Sequence, residues 1–421
     1  MTNLLRTVVT AGGLIWMVAA CSPCLAAFPQ LPLKFEINWQ NGVDLPWEYN
    51  AGSLGVYGDK VAFATGFGRN VPDSFKQVPG YYDGYHRLLA VYDQTTQTWS
   101  QETPLFPSLA RAYTTTPVNG GEGGLFVLGG QSYQFPYTYR DAYHLALDGD
   151  NWRWDRLPDM KKPRAMFGAA QIGSVLYAQG GTVFDNTFGW DTTIDDVGSR
   201  FERLDLNNLD EGWASLPDLP GTKRSHQAVV EVRGKIYVLG GVIQTGGENT
   251  TAKQMVDNWR YDPATAAWTR LRDQPFPGES WSALVMEDRY VLMFGGFLGR
   301  EVVDATGAVI QQQNPEVGFT DRVLVYDTLL DEYFDATPMP RLLADTRVVW
   351  LQDGETIYSL TAEVDGSQRI ADAYIGHISH LGVGAKSDVT VPEPAMLLQA
   401  SAAFVLLALR RRAAAAQPGT C

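Results

Sequence analysis

The sequence holds almost no cysteine. Its 421 residues contain three, Cys21, Cys24 and Cys421, all in the terminal segments. The body of the chain therefore has no disulfide framework, no cysteine nucleophile and no thiolate ligand for a metal. Histidine is sparse as well, with five residues, and the chain contains no HExxH pair, no EF-hand loop and no phosphate-binding loop. Basic charge is short: the terminal segments 1–27 and 395–421 carry four of the 33 Lys+Arg and none of the 47 Asp+Glu, which leaves the body at −18. A body so acidic disfavours nucleic acid and anionic membranes as partners. Long apolar runs are missing too. The run Ala395 to Leu409 has 15 residues and includes Gln399, short of the roughly 20 that an ordinary spanning helix needs.

Glycine, in contrast, is abundant, with 42 residues, and it recurs in a pattern. A short apolar strand ends in Gly129-Gly130, Gly180-Gly181, Gly240-Gly241 and Gly295-Gly296, and the second glycines stand 51, 60 and 55 residues apart. Self-similarity at about 50 residues predicts a repeat architecture of short strands rather than several unrelated domains. Five copies continue with a strand ending at or near Tyr-Asp and then an aromatic residue: Tyr92-Asp93 and Trp99, Tyr143 (without the Asp) and Trp152 or Trp154, Leu204-Asp205 and Trp213, Tyr261-Asp262 and Trp268, Tyr326-Asp327 and Tyr333. The first copy has Gly66-Phe67-Gly68 in place of the diglycine. A sixth, from Val348, lacks both the diglycine and a fourth strand before the tail. Phe35 to Trp39, followed by Leu45-Pro46, matches that missing strand.

Diglycine, Tyr-Asp and Trp in this order resemble the kelch repeat. The resemblance covers residues 28–385 and implies an all-β fold, a six-bladed kelch-type β-propeller closed by the N-terminal strand. A TolB-like or quinoprotein propeller is the structural alternative. Closure leaves no sheet edge open to aggregation.

The ends read as address signals. Arg6, the apolar stretch Val8 to Ala20 and the small residues Leu25-Ala26-Ala27 have the layout of a signal peptide over 1–27. Val18-Ala19-Ala20-Cys21 also resembles a lipobox. After a linker at 386–394 containing Pro392-Glu393-Pro394, the short apolar segment 395–412 ends in Arg410-Arg411-Arg412, and 413–421 forms a tail. These features resemble the PEP-CTERM tail of Gram-negative bacteria. That resemblance implies an exosortase-type sorting enzyme as partner, transient inner-membrane anchoring through the C-terminal helix, and an exported protein of the cell envelope, outer surface or exterior. A plain C-terminal anchor is the other reading.

Two constellations are candidate binding residues. The segments after the diglycines exceed the length of ordinary loops and carry aromatics, among them Tyr81, Tyr137 and Trp190. Such rings can stack on sugar faces or simply pack the loops down. The second set, Arg111, Arg164, Arg224 and Arg347 with Trp281 in the fifth copy, precedes the first strands. The kelch resemblance places arginines there near the channel mouth, where a ring of guanidinium groups would clamp a carboxylate or sulfate. The alternative is that each pairs with a neighbouring carboxylate. His226, two residues after Arg224, could serve as an acid or base or as a structural histidine. Asp191, Asp195 and Asp196 could hold calcium or form a solvated acidic loop; no other cofactor is indicated.

These residues support a non-catalytic binding module for a glycan or a protein of the envelope or matrix. The alternative is a sugar mutarotase (epimerase) similar to periplasmic sialic acid mutarotase, using His226 and the arginines. Copper radical chemistry of the galactose oxidase kind is excluded, because the body has no cysteine.

Overall fold

The computed structural model describes residues 29–381 apart from short segments at 69–72, 78–80, 115–117, 119–123, 185–191, 194–195, 246–250, 313–317 and 366–367. Outside the long loops, the pairings of the described residues give four separate antiparallel sheets and one eight-stranded sheet, which divides into two units because Leu33–Asn41 joins its halves by a parallel pairing with Glu332–Ala336. In chain order, the first unit runs Ser53–Tyr57, Lys60–Ala64, Leu89–Asp93 and Thr98–Glu102. The second has three strands, Leu125–Leu128, Ala142–Asp148 and Asn151–Leu157. The third runs Gly168–Ile172, Val175–Gln179, Phe201–Asp205 and Ala214–Ser215, and the fourth Ala228–Val232, Lys235–Leu239, Asn258–Asp262 and Ala267–Arg270. The fifth is Ser282–Met286, Tyr290–Phe294, Val323–Asp327 and Glu332–Ala336. The sixth joins both ends of the chain: Arg347–Trp350, Thr356–Val364 and Gln368–His380 pair in series, and Leu33–Asn41 adds to the last of them antiparallel, Ile37 facing Ile378.

Each repeated residue has a physical task. Both glycines of every diglycine have positive φ, from Gly129 at 57° to Gly181 at 106°, a region that costs an L side chain roughly 1–2 kcal/mol. The second glycine donates its N–H to the next unit: Gly66 to the Arg111 carbonyl, Gly130 to Arg164, Gly181 to Arg224, Gly241 to Gly278 and Gly296 to Leu343, at 2.8–3.1 Å. A Cβ at Gly129 would stand 2.4 Å from the Arg164 oxygen, so the approach itself excludes a side chain. The aspartate of Tyr-Asp closes the following hairpin. Asp93 accepts from Thr95 and Thr96, Asp205 from Asn207, Asp262 from Ala264 and Asp327 from Leu329, and Asp93, Asp262 and Asp327 also meet Lys60, Lys235 and Arg289.

Where the outer strand carries a tryptophan, its indole ties the unit to the one before. Trp99 Nε1 donates to Val43, Trp154 to Pro104, Trp213 to Pro158 and Trp268 to Pro217, at 2.8–3.1 Å. This pattern makes Trp154, rather than Trp152, the repeat tryptophan of unit two. Trp39 reaches the Thr337 carbonyl at the exit of unit five, which gives the N-terminal strand the same place in unit six. Apolar clusters likewise straddle neighbouring units: Phe126 and Leu128 of unit two pack with Phe167, Leu176, Leu204 and Trp213 of unit three.

The expectation of inner-membrane anchoring through a C-terminal helix is corrected. Among the described residues no helix is long and apolar enough to cross a membrane. The physical reason is visible in segment 395–412, whose 15-residue apolar run is interrupted by Gln399 and is too short for the bilayer core. That segment, the leader at 1–27, Pro392, Glu393, Pro394, Arg410, Arg411 and Arg412 all lie outside the described residues.

Candidate functional site

One residue in each unit marks the axis. Ala51, Tyr113, Met166, His226, Ser280 and Asp345 all have φ between 52° and 58°. They form a backbone string, in which Tyr113 N–H donates to the Ala51 carbonyl, Met166 to Tyr113, His226 to Met166, Ser280 to His226 and Asp345 to Ser280, at 2.8–3.1 Å. One hydrogen bond per step carries the string from Ala51 to Asp345, with Ala51, Tyr113 and Met166 buried on it, so it marks the inner edges of the units around the axis expected of a propeller. The residue before each of them bridges to the residue after the glycine turn: Ala112 to Gln131, Ala165 to Thr182, Ser225 to Val242 and Glu279 to Phe297.

Against this ring the predicted arginines can be placed. Arg111, Arg164 and Arg224 each stand two residues before a ring residue and are fully buried. Arg111 pairs with Asp141 at 2.5 Å, Arg164 with Glu202, and Arg224 with Asp257 at 2.6 Å. Each also donates Nη1 to the first glycine carbonyl of its own unit, Gly129, Gly180 or Gly240. They are ties from the first strand to the glycine turn and to the strand after it, which is the alternative that the sequence left open. Trp281 and Arg347 are not their counterparts in register, for Gly278 and Leu343 hold those positions. The Trp281 ring instead occupies the space a side chain at 278 would take, its Nε1 lying 2.2 Å from a Cβ built there. Arg347 pairs with Asp345 at 2.6 Å and donates to the Gly52 carbonyl of unit one.

His226 stands on this string and is partly buried. Its Nδ1 lies 2.9 Å from the Ser225 hydroxyl, and among the described residues its Nε2 has no partner. Burial holds its pKa below the ordinary histidine value, with Glu279 and Asp345 raising it and Arg300 and Arg347 lowering it. The imidazole is therefore neutral at neutral pH. Arg300 was not a candidate from sequence, because its position after Gly299 repeats in no other unit. It pairs through Nε with Glu279 Oε1 at 2.5 Å.

The aromatic loops of units one and two converge. Phe67, Gly68, Tyr81, Asp83, Gly84 and Tyr133 line a cavity of about 280 Å³. Tyr85 packs against two of these rings, 4.8 Å from Phe67 and 5.3 Å from Tyr133 between ring centroids, and Tyr137 packs against the same cluster. Phe135 stands beside it, edge-on to Tyr137 at 5.9 Å and 80 % exposed. Trp190 lies outside the described residues.

The loops of units three to five do something the sequence did not reveal. Val183–Phe184, Thr192–Thr193, Val242–Thr245, Thr251–Met255, Glu301–Val303 and Val309–Gln311 join into one sheet that runs across three units. Among the described residues no cluster of three or more His, Cys, Asp or Glu could hold a metal ion. Asp191 and Asp195 are outside that set, and Asp196 opens a short turn at Asp196–Ser199.

Comparison with known proteins agrees with this architecture. The family model of N-acetylneuraminate epimerase matches residues 193–394, just under half of the chain. An N-acetylneuraminate epimerase of Yersinia enterocolitica is 26% identical over 199 residues, 43% of this chain and 50% of that protein, so the chain spans half the length of this relative. The Kelch-like protein terF of Aspergillus terreus is 23% identical over 387 residues, 78% of this chain and 79% of that protein. The solved structure of YjhT superposes with a TM-score of 0.59 at 12% identity, covering 80% of this chain and 99% of that one, a likeness of fold. Repeat, ladder order and likenesses together make this chain a nearly all-β protein with the architecture of a kelch-type β-propeller.

Proposed function

We propose that this protein is an exported, six-bladed binding module that takes a glycan in the cavity between units one and two, with residues 386–394 belonging to a sorting address. The observation that carries the reading is the aromatic wall of that cavity, Phe67, Tyr81 and Tyr133 around about 280 Å³ with Asp83 also lining it. Flat rings match the apolar faces of sugars, and phenol and carboxylate groups accept or donate hydrogen bonds to hydroxyls. The volume is near the lower end of the roughly 300–1,000 Å³ typical of ligand pockets, which suits one sugar ring. A glycan array with the purified protein tests it. Selective binding that Tyr133→Ala abolishes supports the reading; a silent array defeats it.

A second reading, a sugar epimerase, is favoured by one observation. His226 and Glu279, a candidate acid–base pair, lie together inside the region similar to N-acetylneuraminate epimerase. Its test is NMR exchange between the anomers of N-acetylneuraminate with and without the protein. Exchange at the spontaneous rate removes it.

A further inference from the structure

Arg300 is held in an unusual way for a half-exposed arginine. Glu279 and Phe297 bridge antiparallel, and Phe297 bridges in turn to Phe319. Gly299, at φ 97°, then turns the chain back so that the Arg300 guanidinium lies over the Phe297 ring, 4.6 Å from its centroid. The turn is pinned from below by the buried Gln254, which donates to the Phe297 carbonyl at 2.6 Å and accepts from Arg300 N–H at 3.3 Å. Nε is taken by Glu279 Oε1 at 2.5 Å. Among the described residues nothing accepts a hydrogen bond from either Nη nitrogen, and the side chain is 34% exposed. The planar fork is thus oriented by its stack and its Nε partner, and its two-nitrogen edge is open.

Two further polar atoms beside it lack partners. Glu279 Oε2 is buried with no hydrogen bond. His226, whose charge environment includes both Glu279 and Arg300, has an unpartnered Nε2 among the described residues. Buried polar atoms are nearly always satisfied, so an orphan acceptor beside an open donor fork points to a ligand or bound water. A guanidinium edge is the natural partner of a planar oxyanion, and the stack on Phe297 holds it in place without costly ordering on binding.

We propose that Arg300, steadied by Glu279 and Phe297 in unit five, is a binding site for the carboxylate or sulfate group of a hydroxylated ligand, whose hydroxyl donates to Glu279 Oε2. The site is separate from the aromatic cavity of units one and two and stands whether or not that cavity binds a glycan. It differs from the arginine ring expected from sequence, because those guanidinium groups are spent on Asp141, Glu202, Asp257 and Asp345.

The chain has five histidines, so the ring signals of His226 can be followed by NMR once assigned through their loss in His226→Gln. The purified protein is titrated at fixed pH and ionic strength with acetate, sulfate and glycolate, against chloride. The expected result is a saturable shift of the His226 signal that is absent in Arg300→Gln and weakened but present in Arg300→Lys, which retains the charge opposite Glu279. Acetate and sulfate distinguish the two oxyanions, and glycolate saturates at lower concentration than acetate because its hydroxyl reaches Oε2. Equal shifts in wild type and Arg300→Gln, or a response to every anion no different from that to chloride, overturn the proposal. Acetate binding without any gain for glycolate overturns the role of Oε2.

Discussion

Replacing Arg224 by methionine tests whether the buried arginines hold the fold or wait for a ligand. The side chain is fully buried and makes four hydrogen bonds, to the Thr222 carbonyl at 3.0 Å, the Gly240 carbonyl at 3.1 Å, the Asp257 carbonyl at 3.0 Å and Asp257 Oδ2 at 2.6 Å. Its partner carboxylate is also without solvent exposure. Methionine fills much of the volume, so the loss is mainly electrostatic. Asp257 would keep a single side-chain donor, Trp259 Nε1 at 2.5 Å. Breaking a buried pair from one side costs about 3–5 kcal/mol, a large part of a typical total of roughly 5–15 kcal/mol. Removing both charges leaves no buried ion, so Arg224→Met with Asp257→Leu should recover about 1–3 kcal/mol relative to the sum of the single variants. Urea unfolding followed by tryptophan fluorescence measures all four corners of the cycle. The exposed pair Arg153–Asp155 is the internal control, whose loss should leave the urea midpoint almost unchanged. If Arg224→Met unfolds within 1 kcal/mol of wild type, or if the double variant is as unstable as the sum of its parts, the arginine is not a tie and its reading as a ligand clamp returns.

Other outcomes follow from the same structure. His86 is buried with Nδ1 accepting from the Leu88 N–H at 3.3 Å and Nε2 unpartnered, and burial lowers its pKa to about 3. The unfolded chain then binds the extra proton first, so stability should fall as pH drops from about 6.5 toward 3. Urea midpoints should show this fall, and His86→Phe should flatten it. Gly129→Ala meets both a positive φ and the Arg164 oxygen at 2.4 Å, whereas Gly173→Ala meets the φ alone in open space. The first should cost well over 2 kcal/mol and the second about 1–2 kcal/mol, by the same unfolding assay. Trp39→Phe keeps the ring but loses the donor to Thr337; hydrogen exchange should quicken first in Leu33–Asn41 and its partner Gln368–His380.

The sequence by itself determined the repeat and therefore the propeller. Paired glycines, a closing aspartate and an outer tryptophan are local requirements, since a positive φ, a hairpin cap and an inter-unit indole bond each restrict one position to few residue types. Even the place of the N-terminal strand was legible, because Phe35 to Trp39 followed by Leu45-Pro46 supplies the strand and exit that the last copy lacks, with Trp39 seven residues before Pro46 as Trp268 is before Pro275. The site was legible only in part. Tyr81 could be named from its loop, but that it shares a cavity with Tyr133 depends on how units one and two abut. The arginines recur at regular spacing, yet their carboxylate partners lie 30 to 38 residues away for Arg111, Arg164 and Arg224, and no local rule says that such charges meet. Arg300 has no repeat signature at all. Its orientation comes from Phe297, Glu279 and Gln254, brought together by sheet pairing across units. Local chemistry chose the strands and turns, and the circular packing of the units decided which charges were spent inside the fold and which were left partly exposed.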